Sequence, residues 1–165
     1  MTFLANLIGV TLAIGMQATS ASFSEYSVDL YRGDMHISRD ISRDHQGVWR
    51  DGAGKAIAKP EVNFAGRYYL GVHSCGASCR FYSLTDLSTG ADLDALNMFA
   101  STDPPPTTRD GYRYVSYLTT KPDSVLLIAT YVIDTPSGTK CRERPFALQE
   151  LTLVPVARTK AVPCR

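Results

Sequence analysis

The chain has 165 residues, of which 44% are hydrophobic, and its 17 lysines and arginines nearly balance its 16 aspartates and glutamates. This length fits one domain that can bury a sizeable core. A net charge of +1, with both signs mixed along the chain, argues against a nucleic-acid binder that relies on a strongly basic surface.

The first 21 residues predict a signal peptide. The stretch from Phe3 to Met16 is apolar and uncharged, yet it is shorter than the roughly 20 residues that a transmembrane helix needs. Small residues follow, and cleavage is expected near Ala21. The stretch lacks a lysine or arginine before it, so the terminal amine supplies the only positive charge. We expect residues 22–165 to form a single exported domain, periplasmic or secreted, with no membrane span.

The cysteines agree with export. The chain has four, Cys75, Cys79, Cys141 and Cys164, and an even number in an exported chain indicates disulfides. Three pairings are possible. We favour Cys75 with Cys79, because the pair is local, and Cys141 with Cys164, which would tether the C-terminal tail. On the chain-entropy model these closures contribute about 2 and about 3.5 kcal/mol.

Strands are predicted first in the N-terminal half. The alternating run from Ser27 to Tyr31 predicts a strand, and Val48 and Trp49 predict another that ends in the turn at Asp51-Gly52. Residues 67–73 alternate strongly, and residues 79–84 run back along them. We therefore expect an antiparallel hairpin whose tip is closed by the first cysteine pair.

The C-terminal half continues the β pattern. Leu93, Leu96 and Phe99 indicate a short helix or an irregular strand, and the proline-rich residues 101–111 predict an exposed loop. Three further strands are expected to start at Tyr112, Ser124 and Pro145. The predicted fold is mainly β, an antiparallel meander that forms a barrel, a sandwich or a curled sheet, with at most one short helix.

One segment carries a recognisable signature. The matching residues are Asn63, Phe64, Ala65, Gly66, Tyr68, Cys75, Gly76, Cys79, Asp86 and Gly90. This pattern resembles small exported bacterial proteins of uncharacterised function, which share Asn-Phe-Ala-Gly-His/Arg-Tyr, a strand, and Cys-Gly-x-x-Cys. The resemblance implies a periplasmic or secreted β domain, and it assigns no catalytic residue.

The hairpin supplies the predicted binding surface. Arg67, Tyr69 and His73 fall on one face by alternation, and Arg80 and Tyr82 are expected nearby on the return strand. Tyrosine and arginine dominate many protein interfaces. The alternative is an ordinary solvated face of an antiparallel sheet.

We expect a non-enzymatic binding domain whose partner is another protein or a cell-envelope polymer. An inhibitor or immunity-like protein that acts on an envelope-targeting enzyme would be one such domain. No cofactor is expected. The scattered histidines, His36, His45 and His73, lack the spacing of metal ligands.

The alternative is a small envelope enzyme centred on the loop from Cys75 to Cys79. One version is a thiol-disulfide oxidoreductase, although three residues separate these cysteines, whereas the thioredoxin-type motif has two. The other version is a hydrolase in which Cys75 is the nucleophile, His73 the base and Asp86 the residue that orients the base.

Overall fold

A computed structural model of the chain describes residues 21–76, 79–101 and 104–164. Apart from Ala21, the predicted signal peptide lies outside this range. None of the helices in the described ranges is long and apolar enough to cross a membrane.

The described residues form β-strands joined by short turns. In chain order the strands are β1 (Ser42–Arg43), β2 (Trp49–Arg50), β3 (Tyr68–Gly76), β4 (Cys79–Asp86), β5 (Ala91–Leu93), β6 (Tyr114–Thr119), β7 (Leu126–Thr135), β8 (Gly138–Gln149), β9 (Thr152–Pro155) and β10 (Lys160–Val162). The helical segments in this part of the chain are two 3₁₀ helices, Phe23–Tyr26 and Asp94–Phe99.

The strands pair in antiparallel fashion into three sheets. One sheet has the order β3-β4-β5, and the largest has the order β10-β8-β7-β6, with β9 also paired to β8; β1 and β2 form a small ribbon. The prediction of a mainly β antiparallel fold is therefore confirmed. The described strands do not close into a barrel, so the predicted curled sheet or sandwich is the form that fits.

The hydrophobic core lies between the two larger sheets. The β3-β4 hairpin contributes Leu70, Tyr82 and Leu84 to it, and the opposing sheet contributes residues such as Leu127 and Phe146. The second 3₁₀ helix closes the core, because its Phe99 packs edge-to-face on Phe146 with ring centroids 5.3 Å apart. Of the two forms predicted for this segment, the short helix is the one present, and its Leu96 and Phe99 are buried.

Both preferred disulfides are present. Cys75–Cys79 closes the β3-β4 hairpin at its tip, and Cys141–Cys164 joins β8 to the tail beyond β10. The tail is also held by the pairing of Lys160–Val162 with Cys141–Glu143. The last strand of the large sheet is thus fixed both by a covalent bond and by its backbone ladder.

Two predicted strands differ from the structure. Residues Ser27–Tyr31 form no strand; the segment is held by single backbone hydrogen bonds, such as Val28 N–H to the Asp123 carbonyl at 2.9 Å. The strand expected from Pro145 is the end of β8, a turn, and then β9. Glu150 adopts a φ of 55° in that turn, a conformation that apolar periodicity does not reveal.

The turn before β3 joins three parts of the chain. Ala65 and Gly66 have φ angles of 47° and 79°. The Gly66 N–H donates to the Pro122 carbonyl, and the Gly66 carbonyl accepts from the Tyr31 N–H, each at 2.7 Å. The Asn63 side chain binds both backbone groups of Leu70, at 2.7 and 3.0 Å. The Asn-Phe-Ala-Gly part of the signature is therefore a structural junction.

Replacement of Gly66 should destabilise the fold severely. A Cβ atom there would lie 2.3 Å from the Asp29 carbonyl oxygen. Gly54 has a similar φ of 77°, but a Cβ atom added there would have no heavy atom within 4 Å. Gly54→Ala is therefore a matched control that introduces the backbone strain without the close contact. We expect a loss of about 1–2 kcal/mol for Gly54→Ala and about 1–3 kcal/mol more for Gly66→Ala, measured by urea unfolding. Equal losses would contradict the close contact.

Candidate functional site

A chain of three polar side chains lies on the outer face of the hairpin. His73 of β3 contacts Ser83 of β4 through Nε2 at 2.8 Å and Asp51 through Nδ1 at 2.9 Å. His73 is 5% exposed and Asp51 is 7% exposed, while Ser83 is half-buried. Phe81 stacks on the imidazole with ring centroids 4.6 Å apart. The order Asp-His-Ser is the one that acyl-transfer enzymes use.

Gly71 permits this arrangement. In the β3-β4 register Ser83 lies opposite Gly71, and His73 lies opposite Phe81, so the imidazole must reach diagonally over Gly71 to meet Ser83. A Cβ atom on residue 71 would lie 2.5 Å from Ser83 Oγ and 3.0 Å from His73 Nε2. Any side chain there would separate the two groups.

Asp51 links the hydrogen-bonded side chains of His73 and Ser83 to the loop after β2. Its second carboxylate oxygen accepts the backbone N–H groups of Ala53 and Lys55, at 3.0 and 2.9 Å. The Lys55 ammonium in turn donates to the Ser74 carbonyl. The hydrogen bond from His73 lowers the pKa of Asp51, as do the bonds from the backbone of Lys55 and Ala53, and burial opposes them.

The predicted cysteine nucleophile is wrong. Cys75 is bonded to Cys79, so it has no thiolate to attack with. Asp86 does not contact His73; its carboxylate pairs with Arg67 at 3.1 Å and accepts bonds from Ser88. His73 is instead hydrogen-bonded to Asp51, and the hydroxyl beside it belongs to Ser83.

The five residues of the predicted binding surface do not form one exposed patch. Arg67, Tyr69 and His73 lie on the outer face of the hairpin, whereas Arg80 and Tyr82 lie on its inner face. The outer face is covered by the loops after β2, where the Tyr69 hydroxyl donates to the Ala58 carbonyl at 3.2 Å. The inner face meets the large sheet, where the Tyr82 hydroxyl donates to the Ser116 carbonyl at 2.7 Å.

Only the two arginines of that set reach solvent to a substantial degree. Arg67 is exposed beside Asp86, and Arg80 packs over the Tyr117 ring at 4.3 Å. Of the histidines, His36 and His45 are exposed. Within the described ranges no group of three or more His, Cys, Asp or Glu side chains is placed to hold a metal ion.

The large sheet carries a second site that the sequence did not single out. On its core-facing side the cross-strand pairs Leu118–Ala129 and Ala129–Arg144 continue to Tyr131–Arg142 and Tyr114–Ile133. Past the edge of the core, an open cleft of about 500 Å³ is lined by Tyr114, Tyr131, Ile133, Arg142 and Arg144 of this face. Thr107, Thr108 and Arg109 of the proline-rich segment also line it. We call this site the basic cleft.

The basic cleft concentrates positive charge. Arg109, Arg142 and Arg144 line it, and no aspartate or glutamate does so among the described residues. None of the ion pairs in the described ranges involves these arginines. Glu143 lies between two of them in sequence, but strand alternation turns it to the opposite face, where it pairs with Lys160 at 3.8 Å.

Tyr114 and Tyr131 form the aromatic wall of the cleft. Their rings meet edge-to-face with centroids 5.5 Å apart. Burial raises the pKa of Tyr131, the neighbouring Tyr114 adds to the rise, and Arg144 opposes it. Tyr131 is therefore a neutral phenol near neutral pH, able to donate a hydrogen bond.

The sequence did contain a signal for this cleft. Arg142 and Arg144 are two residues apart in a strand, so they share a face. Periodicity does not tell which face is the inner one, or that the inner face extends beyond the core. For Asp51 no local signal exists, because it lies outside the hairpin, in the loop after β2. Ser83 lies on the predicted return strand, but its contact with His73 depends on the register of the hairpin.

Asp51→Asn should change how stability depends on pH. A lowered pKa in the folded state means that the ionised carboxylate stabilises the fold above the ordinary value of 3.8, and that this contribution is lost as the pH falls below it. We expect the variant to be less stable than wild type by about 1–3 kcal/mol near neutral pH, with a gap that narrows in acid. Urea unfolding at a series of pH values from acid to neutral measures the stability gap and its change with pH. The exposed control Asp110→Asn should match wild type throughout, and a gap independent of pH would contradict the role of the charge.

Comparisons with known proteins do not assign the chain to a family. The chain matches no protein-family model, no curated protein and no solved structure. The resemblance to small exported bacterial proteins remains a prediction, and the functional conclusion depends on the two sites described above.

Proposed function

We propose that this protein is a non-enzymatic binding domain of the bacterial periplasm or exterior, which holds another protein or a cell-envelope polymer in the basic cleft. The observation that carries the proposal is the cleft itself. It is an uncovered continuation of the core-facing sheet surface, lined by two tyrosines and three arginines. An inhibitor or immunity-like role against an envelope-targeting enzyme is one form of this function.

The composition of the cleft supports binding. Tyrosine and arginine are the residue types on which interface energies concentrate, since each offers a large contact area together with hydrogen bonds. A volume of about 500 Å³ is within the usual size range of ligand pockets. The half-buried Tyr114 and Tyr131 leave part of each ring open to a ligand.

The scaffold also supports binding, because the cleft is built on strands rather than on free loops. Tyr131, Arg142 and Arg144 belong to β7 and β8, and β8 pairs with β7 along the whole length of β7. The Cys141–Cys164 disulfide holds the strand next to the cleft. A preformed site loses less conformational entropy on binding. Two disulfides are also typical of an oxidising compartment, in agreement with the proposed location.

The test is capture from a fractionated cell envelope by the exported chain. Arg142→Glu reverses an exposed charge in the cleft. Arg39→Glu reverses an exposed charge next to Ser38, which binds Asp92 of the other sheet. We expect Arg142→Glu to reduce recovery of the bound component at least about tenfold, since loss of an interface arginine often costs 2 kcal/mol or more. Arg39→Glu should leave recovery unchanged. Equal recovery by wild type and Arg142→Glu would exclude the cleft as the binding site.

A second candidate function is supported by the Asp51-His73-Ser83 contacts. In a serine hydrolase, Ser83 Oγ would attack an ester carbonyl while its proton passes to His73 Nε2, which then protonates the departing alcohol. Water would release the acid from Ser83 by the reverse proton path. Asp51 would hold the imidazole with its Nδ1 proton toward the carboxylate.

This candidate predicts a reactive serine. A fluorophosphonate probe should label Ser83 in the wild-type chain and not in Ser83→Ala, and p-nitrophenyl acetate hydrolysis should fall in parallel by about 10³-fold or more. Ser74→Ala, an exposed serine of the same hairpin, is the matched control and should be labelled like wild type. Failure of the probe to label the wild-type chain would leave these contacts a structural role only.

A further inference from the structure

Arg144 is incompletely paired in the folded protein. Its Nε atom is buried and has no hydrogen-bond partner among the described residues. The side chain is half-buried, lies opposite Ala129, and packs over the Phe146 ring with 5.5 Å between Cζ and the ring centroid. Buried polar atoms almost always have partners, because loss of water costs about 1–3 kcal/mol for each unpaired group.

The surroundings indicate what a partner for Arg144 would be. The Arg144 guanidinium borders the core, Arg142 lies two residues away on the same face, and Arg109 comes from the proline-rich segment. Together they form a site of formal charge +3 with no acidic side chain among its described lining residues. Guanidinium groups bind carboxylate and phosphate oxygens through paired N–H donors. An oxyanion on the ligand, bound by the accessible N–H groups of Arg142 and of the half-buried Arg144, would offset the repulsion among the arginines.

The remaining lining residues indicate the rest of the ligand. Thr107, Thr108 and Thr159 also line the cleft, and a threonine hydroxyl can both donate and accept hydrogen bonds. The Thr108 hydroxyl already accepts from the Tyr112 N–H at 3.1 Å. Tyr114 and Tyr131 offer apolar ring surface with polar ends. Aromatic ring surface edged by hydroxyl groups complements a sugar ring, whereas an arginine cluster without such surroundings is typical of sites for acidic peptides.

We infer that the basic cleft binds an anionic saccharide unit, with its carboxylate or phosphate held by Arg142 and Arg144 and its sugar ring against Tyr114 and Tyr131. This inference rests on the proposed binding function and specifies the chemistry of its ligand. The component of the cell envelope that carries such a unit is an acidic polysaccharide or a sugar-phosphate polymer.

The experiment is a titration of the full chain, followed by NMR signals of the arginine Nε–H groups. The probes are D-glucuronate, D-glucose 6-phosphate, D-glucose, inorganic phosphate and a short acidic peptide. We expect the two anionic sugars to bind at least about tenfold more tightly than glucose, to shift the Arg144 Nε–H signal, and to lose affinity as NaCl rises to about 0.3 M. Phosphate alone should bind more weakly than glucose 6-phosphate.

Variants assign the effect to the cleft. Arg144→Gln and the exposed Arg142→Gln should each weaken binding of the anionic sugars at least about tenfold, and Arg39→Gln should not. If Arg144→Gln does not fold, as judged by near-UV circular dichroism, Arg142→Gln provides the test. Binding of glucose as tight as that of the anionic sugars, or the absence of any saccharide binding, would overturn the inference.

Two further outcomes are decisive. Tighter binding of the acidic peptide, or equal binding of phosphate and glucose 6-phosphate, would overturn the saccharide assignment. If Arg142→Glu abolishes envelope capture while no anionic sugar binds, the binding function stands and this inference fails. If anionic sugars bind in the cleft while Arg142→Glu leaves the recovery from the cell envelope unchanged, the proposed function fails instead.

Discussion

The turn from Asn63 to Gly66 is the constraint on which the arrangement of the molecule depends. Its backbone accepts a hydrogen bond from the Tyr31 N–H of the N-terminal segment. Its own N–H groups donate to the Pro122 and Ser124 carbonyls in the loop that precedes β7. It also leads directly into β3, so one turn relates the hairpin sheet to the large sheet. Only a residue without a side chain can occupy position 66, because the Asp29 carbonyl lies against it. The placement of the core, and of what lies beyond its edge, follows from this junction.

Because the hairpin covers one part of the large sheet, the uncovered remainder of the same face is available for binding. Leu127 and Ala129 lie under the hairpin in the core, whereas Tyr131 lies at its margin and Arg142 is exposed. Strand alternation then sorts the charges. Glu143 is turned to the outer face, so a chain of net charge +1 gains a cleft that is locally basic. The net charge of the whole chain does not reveal this separation of charges, because neighbouring residues of a single strand point to opposite faces of the sheet.

The outer face of the hairpin shows how a polar network can be both structural and chemically capable. Asp51, His73 and Ser83 are satisfied by one another and by the backbone of the loop after β2, which seals Tyr69 and His73 from water. A fully paired network of this kind fixes a loop onto a sheet. The same atoms have the connectivity of an acyl-transfer site, and reactivity of Ser83 toward a probe separates the two roles.

The sequence by itself determined the strand-rich antiparallel character of the domain and the β3-β4 hairpin, because alternation and turn residues are local properties. Of the three possible cysteine pairings it favoured the one that the structure shows, but only the structure decided it. It did not determine which hairpin residues are exposed, since the irregular segment that buries Tyr69 and His73 has no periodicity of its own. It also could not place Asp51 beside His73, or Arg144 at the edge of the core. Those contacts were decided by the tertiary structure, because they depend on how two sheets and a covering loop pack, and packing joins residues that no local pattern relates.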